Sequence, residues 1–182
     1  MTRVTSRSDA MSVLSDIGEE TDLRRLFGRF PTGVTALCAM NEGQPIGMTA
    51  SAFVAVSLEP ALVSVCIKHD SWTWRQLRKR ERIGISFLGH SHAATARQLA
   101  QRSDDRFRGL EHEIATTGAV FLANATAWLE CSIETEIVAG DHDIVLFRLH
   151  RAASADEAMP LVFHSSRFHV LMPIEEPERL SA

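Results

Sequence analysis

Two consecutive runs constrain the fold more than anything else in this chain: "ATAWLECSIETEIVAG" at 125–140 and "HDIVLFRLHRAASA" at 142–155. In the first, Trp128, Glu130, Ser132, Glu134 and Glu136 fall on one face, with Leu129, Cys131, Ile133 and Ile137 on the other. A period of two held over that length predicts a strand with one wet and one dry face. "AGDHD" joins the two runs as a tight connection, which makes them a long antiparallel hairpin.

The rest of the chain reads as short strands with few helices. Residues 1–18 are Ser-rich and aperiodic, a flexible leader, and 174–182 form a tail, leaving one domain over 19–173. Leu23, Leu26, Phe27 and Phe30 share a helical face, Thr21 can cap it and Pro31 stops it, predicting a helix over 21–29. "VTALCAM" turns at "NEGQ" into "IGMTASAFVAVSLEP", a hairpin signal, and "PALVSVCIK" is a buried strand. "DSWTWRQLRKRE" predicts a short helix capped by Asp70 or Ser71, followed by the strand "IGISFL". "SHAATARQLAQ" is Ala-rich and helical, and "SDDRFRGLEHEIATTGAVFLAN" is irregular. "PLVFHSSRFHVL" supplies a last strand or hairpin. Six or seven strands without βαβ alternation predict an antiparallel barrel, whose interior is filled or whose rim holds a ligand.

At 182 residues the chain can bury a core without staples, and 45% hydrophobic with 23% charged residues is ordinary for a globular protein. A net charge of −4 speaks against nucleic-acid binding, which needs clustered Lys and Arg. No stretch reaches the length of a membrane span and the N-terminal region has no apolar core of a signal peptide, so a cytoplasmic location is expected. Cys38, Cys66 and Cys131 form no C-x-x-C pair and sit in apolar stretches, as reduced core cysteines do.

Among the histidines, His90, His92 and His112 lack the converging spacing of a metal site and read as surface-loop residues. His142 lies at a strand junction between Asp141 and Asp143, where it is either a polar turn residue or a group held by its carboxylate neighbours. There is no G-x-S-x-G elbow, P-loop or strand-linked G-x-G-x-x-G. "WRQLRKRER" spreads its charges round a helix, which favours a solvated face over a patch attracting an anionic cofactor. In "IGMTASAFVAVSLEP" a strand would place Thr49 and Ser51 on one face, and Ala50 and Ala52 on the other. Such small residues either pack tightly or let a flat ligand approach the backbone.

"FGRFPTGVTALCA", "GMTASAFVAVSLEPALVSVCI", "DRFRG", "AWLECSIETEIVAGDHDIVLFRL" and "PLVFHSSRF", in that order over about 22–170, resemble the short-chain flavin reductase family, reductase components of two-component flavin monooxygenases. The resemblance implies a mainly β, Greek-key split barrel of the FMN-binding type, forming a homodimer. It implies FMN or FAD as flavin, NADH or NADPH as hydride donor, and a monooxygenase partner that receives reduced flavin. Carried over by position, Thr49, Ala50, Ser51 and Ala52 would line the flavin ring edge, with Thr32 and Met48 among the cofactor contacts. Cys66, Lys68, Ser71 and Thr73 would lie near the ribityl phosphate, Arg106 and Phe107 match the family's "DRF", and His142 would meet nicotinamide and flavin. Two positions depart from the pattern: Ala52 replaces a common Ser or Asn, and Ser86 replaces a common Asn. Competing expectations are a flavoprotein that keeps its flavin to act on a small metabolite, and a non-enzymatic flavin or haem carrier.

Overall fold

The computed structural model describes residues 16, 18–103, 105–155 and 158–173, so most of the expected leader and all of the tail lie outside the described residues. Its body is a seven-stranded antiparallel sheet. The strands are β2 (Thr35–Asn41), β3 (Gln44–Ala50), β4 (Phe53–Leu58), β5 (Ala61–Lys68), β6 (Ile83–Phe87), β9 (Ala127–Ala139) and β10 (His142–Ser154), in the order β3-β2-β6-β9-β10-β5-β4. Strands β3 and β4 are therefore opposite edges of the sheet, yet only Ser51 and Ala52 separate them in sequence. The three Cα steps from Ala50 to Phe53 span at most about 11 Å, so the edges must meet and the sheet closes into a barrel with a seam. On the β4 side of that seam the Ala52 carbonyl accepts from the Cys66 amide at 3.3 Å, which extends the β4–β5 pairing by one residue. The sheet is the expected antiparallel split barrel.

Alternation builds two cores on the two sides of the barrel wall. Leu37, Ile85, Leu129, Val65 and Phe147 fill the interior with Trp74 and Leu77. Ala36, Cys38, Leu99, Val120 and Leu161 form an outer core. That outer core lies under α3 (Ala93–Ala100), the ribbon β7 (His112–Ile114) with β8 (Val120–Leu122), and a small sheet in which β11 (Leu161–His164) lies between β1 (Thr32–Gly33) and β12 (Arg167–Val170). The two-residue hairpin loops at Glu42–Gly43 and Ser165–Ser166 have positive φ at both residues, the form that suits the twist of the strands they join.

Several expectations are corrected. The first helix, α1, runs Glu20–Phe27; Glu19 rather than Thr21 precedes it, and no side chain caps it. It ends when the Gly28 amide bonds Arg24, and Gly28 O then accepts from Ser165. The segment 103–123 contains the β7–β8 ribbon, whose three-residue strands are too short to show an alternation. The second helix, α2 (Trp72–Leu77), is capped by Ser71 rather than Asp70, and it stops before most of the basic run. Arg78 pairs instead with Glu136. Within β9, Glu134 is an extra residue between the pairs Thr135↔Leu146 and Ile133↔Phe147. This bulge inverts the alternation, so Ile137 leaves the dry face and Glu136 points to the side of Val145. Glu130 on the expected wet face is buried under the ribbon, accepting from Thr117 Oγ1 at 2.8 Å with Arg151 3.5 Å away.

The histidines and cysteines also divide. His92 is buried: its Nδ1 accepts from the Gly89 amide and its Nε2 donates to Ala123 O. His112 is half-buried against Phe107. Cys38 and Cys131 are buried thiols, and burial pushes Cys131 up to about 12. Cys66 is exposed, because on β5 the inward positions belong to Val65 and Ile67.

Candidate active site

The seam is also the floor of a cavity of about 610 Å³, within the size range of small-molecule sites. Met48 to Ala52 form one side of the floor; Cys66, Lys68 and His142 form the other. Above it stand Ala96, Arg97 and Ala100 of α3, and Phe163, Ser166 and Phe168 of the β11–β12 hairpin. Two grooves of similar size exist, beside Trp128 and Glu130 and between α1 and Ser165, but neither contains a residue singled out for cofactor chemistry.

Local chemistry explains this floor. On β3, Gly47 and Thr49 pair with Cys38 and Ala36 on the outer side of the wall, while Met48 and Ala50 pack on the interior core. Thr35 Oγ1 donates to Ala50 O at 2.9 Å and pins the end of the strand. Ser51 and Ala52 then leave the ladder, so the expected strand alternation stops at Ala50. Gly47 has a packing reason: a Cβ there would lie 2.6 Å from Cys38 Sγ and 3.0 Å from Phe107 Cζ. Its small size accommodates the loop carrying Phe107, not a ligand.

His142 opens β10 directly across from Lys68 on β5, and Gly140 at φ 66° turns the chain just before it. His142 Nδ1 lies 2.7 Å from Asp141 Oδ1. A carboxylate only accepts, so Nδ1 carries the proton and Nε2 remains without a hydrogen-bond partner among the described residues. The same bond holds the Asp141 carboxyl below its ordinary value. Asp143 faces inward and accepts from His69 Nε2 at 3.0 Å, fixing the neighbouring strand end.

Two of the predicted phosphate residues, Ser71 and Thr73, form a second group with Arg106, adjoining the cavity through Met48. Ser71 Oγ accepts from the Trp74 amide at 3.2 Å and lies 3.7 Å from Met48 Sδ. Arg106 donates to Thr73 Oγ1 and, at 3.2 Å, to Gly47 O. Cys66, Lys68 and His142 thus lie in the cavity with Met48, Thr49, Ala50, Ser51 and Ala52, whereas Ser71, Thr73 and Arg106 cluster behind β3. Phe107 belongs to the outer core beneath Gly47. Thr32 lies in an adjoining cleft that shares Ser51 with the cavity. Ser86 is buried in the wall, where its hydroxyl accepts from the Leu122 amide at 3.1 Å, so it ties β8 to β6. Arg97, Phe163, Ser166 and Phe168 were not singled out in the sequence. The only sign of the helix's close approach was the spacing of Ala93, Ala96 and Ala100, small residues on one face.

Residues 27–172 match the model of the flavin reductase like domain, and the chain belongs to that family. It is 33% identical over 136 residues to a probable flavin reductase of Rhizobium meliloti, a match covering 74% of this chain and 44% of the relative. Another R. meliloti relative, the stachydrine N-demethylase reductase subunit Stc3, is also 33% identical over 74% of this chain, with 59% of the relative covered. The chain thus spans roughly half the length of these two relatives. HsaB of Rhodococcus jostii, the reductase subunit of a flavin-dependent monooxygenase, is 28% identical, with 82% of this chain and 77% of HsaB covered. Among solved structures, the NADH:FAD oxidoreductase SgcE6 of Streptomyces globisporus C-1027 superposes with a TM-score of 0.82 at 33% identity, covering 88% of this chain and 98% of SgcE6. SgcE6 has also been solved in complex with NAD and FAD fragments. No helix among the described residues is long and apolar enough to cross a membrane.

Proposed function

We propose that this chain is an NAD(P)H:flavin oxidoreductase that reduces FMN or FAD and passes the reduced flavin to a partner monooxygenase in the cytoplasm. The observation that carries this reading is the seam: a cavity floored by Thr49 to Ala52, with His142 and Lys68 opposite. A flat ring system needs a floor free of bulky side chains and flanked by polar backbone, and these four residues meet that need. When bound, flavin supplies the hydride acceptor for the nicotinamide. Backbone amides at 50–52 would face the ring edge and would supply hydrogen-bond donors to it. His142, held through Nδ1 by Asp141, offers Nε2 to position the nicotinamide or to relay a proton. Ser71, Thr73 and Arg106, with Lys68 nearby, would hold the ribityl phosphate through hydroxyl and guanidinium donors. Ala52 contributes no side-chain hydrogen bond, which favours release of the product.

A second copy of this chain covers the outer face of β4, β5, β10 and β9, where Val54 and Ile137 are exposed together with Cys66. Apolar patches of this kind mark association surfaces. The NADH and FAD of SgcE6 and the monooxygenase of HsaB support the same cofactor chemistry and partner class here. Steady-state oxidation of NADH and NADPH, with FMN and with FAD, tests the reading, followed by dialysis of the flavin-loaded protein. Flavin-dependent turnover and loss of flavin on dialysis are expected. A pigment that survives dialysis and does not respond to free flavin would instead identify a flavoprotein that retains its cofactor.

A further inference from the structure

The predicted phosphate group of residues accounts for one anion, but the cavity carries a second cation that it does not use. Lys68 and Arg97 are the charged side chains lining the cavity, and no carboxylate lines it. Lys68 has Asp70 3.5 Å away. Arg97 has no carboxylate partner among the described residues; its guanidinium lies over the Phe168 ring, 5.0 Å from the centroid. Stacking on an aromatic face holds the planar guanidinium in place and leaves its edge N–H groups free to fork onto phosphate oxygens. Ser166 stands beside it on the cavity wall, in a turn position with φ 61°, and its hydroxyl has no partner among the described residues.

We infer that Arg97, seated on Phe168 and assisted by Ser166, binds the pyrophosphate of the nicotinamide dinucleotide and makes this wall the donor-recognition subsite. The inference rests on the reductase reading. The two anion positions fall on different elements, Ser71, Thr73 and Arg106 behind β3 and Arg97 on α3, with the ring floor between them. A flavin anchored at the first leaves the second for the other nucleotide. A dihydronicotinamide without phosphates has nothing to gain from Arg97.

The test compares Arg97→Gln with the unaltered protein, using FMN as the flavin so that the only pyrophosphate present belongs to the donor. Glutamine keeps an aliphatic stem over Phe168 and removes the charge, and the melting temperature checks that the fold is intact. Loss of a charge-assisted contact should raise KM for NADH by about tenfold with kcat little changed. Turnover of 1-benzyl-1,4-dihydronicotinamide, which carries no phosphate, and the Kd for FMN should stay as they were. ADP-ribose, which carries the pyrophosphate without a redox ring, should bind the variant about tenfold more weakly by calorimetry. An unchanged KM and unchanged ADP-ribose affinity would overturn the inference, as would equal losses with both donors or weaker binding of FMN alone. If the unaltered protein oxidises neither donor when FMN is present, the reductase reading itself fails.

Discussion

His142 reaches the cavity with one ring nitrogen already committed, because its Nδ1 proton is held by Asp141 at 2.7 Å. Removing the ring should therefore cost more than removing its partner. His142→Ala is expected to lower kcat/KM for the hydride donor by about a hundredfold, the low end for loss of a positioned acid–base group. Asp141→Ala should lower it less and should mix the two ring tautomers, which nitrogen NMR of His142 reads directly. Asp141→Asn keeps an acceptor at the same place and should preserve the Nδ1-protonated ring. The acid dependence follows from the same bond. The Asp141 carboxyl lies below its ordinary value of 3.8 in the folded chain, chiefly through the hydrogen bond with His142. Its contribution to stability is complete above that ordinary value and disappears as pH falls through the lowered one. Both side chains are exposed, so the effect is small. Melting curves of the unaltered protein and Asp141→Asn should differ slightly at neutral pH and converge in acid.

At the scale of elements, close approach of backbones decides more than propensity does. A Cβ on Gly84 would lie 2.2 Å from Val120 O, so β8 rests directly on the backbone of β6. Gly84→Ala must push the ribbon outward and should cost about 1–3 kcal/mol, readable by denaturant unfolding. The barrel, its hairpins and three helices were legible in the sequence because the long hairpin alternated, the buried strands stood out as short apolar runs, and most turns carried Gly, Asn, Asp, Ser or Pro. What was not legible depends on one extra residue or on a neighbour far along the chain. The Glu134 bulge turns Ile137 to the other face, and no local pattern announces which residue will be extra. Glu130 looks solvent-facing until the ribbon, with Thr117 and Trp128, closes over it. The floor of the site, from Met48 to Ala52, showed itself through small residues that a buried strand did not need. Arg97 and Phe168 did not, because an arginine on an Ala-rich helix and a phenylalanine in a hairpin have no signature until the fold brings them together.

For the molecule as a whole, the seam serves two ends: it closes the barrel and it leaves a floor where side chains are small and the ladder is interrupted. The apolar outer face of β4, β5, β10 and β9 is continuous with Cys66 on the cavity rim, so association and cofactor binding are expected to be linked. Val54→Asp combined with Ile137→Glu should shift sedimentation from dimer to monomer and weaken flavin binding; a species of unchanged size would remove that face from the assembly. Under the proposed function, hydride transfer to flavin takes place at the seam beside His142. The most direct measurement is anaerobic stopped-flow mixing of NADH with the flavin-loaded protein, following the bleaching of flavin absorbance. Fast bleaching is expected in the unaltered protein and much slower bleaching in His142→Ala at equal flavin occupancy. Bleaching at the same rate in both proteins, or none in either, would contradict that reading.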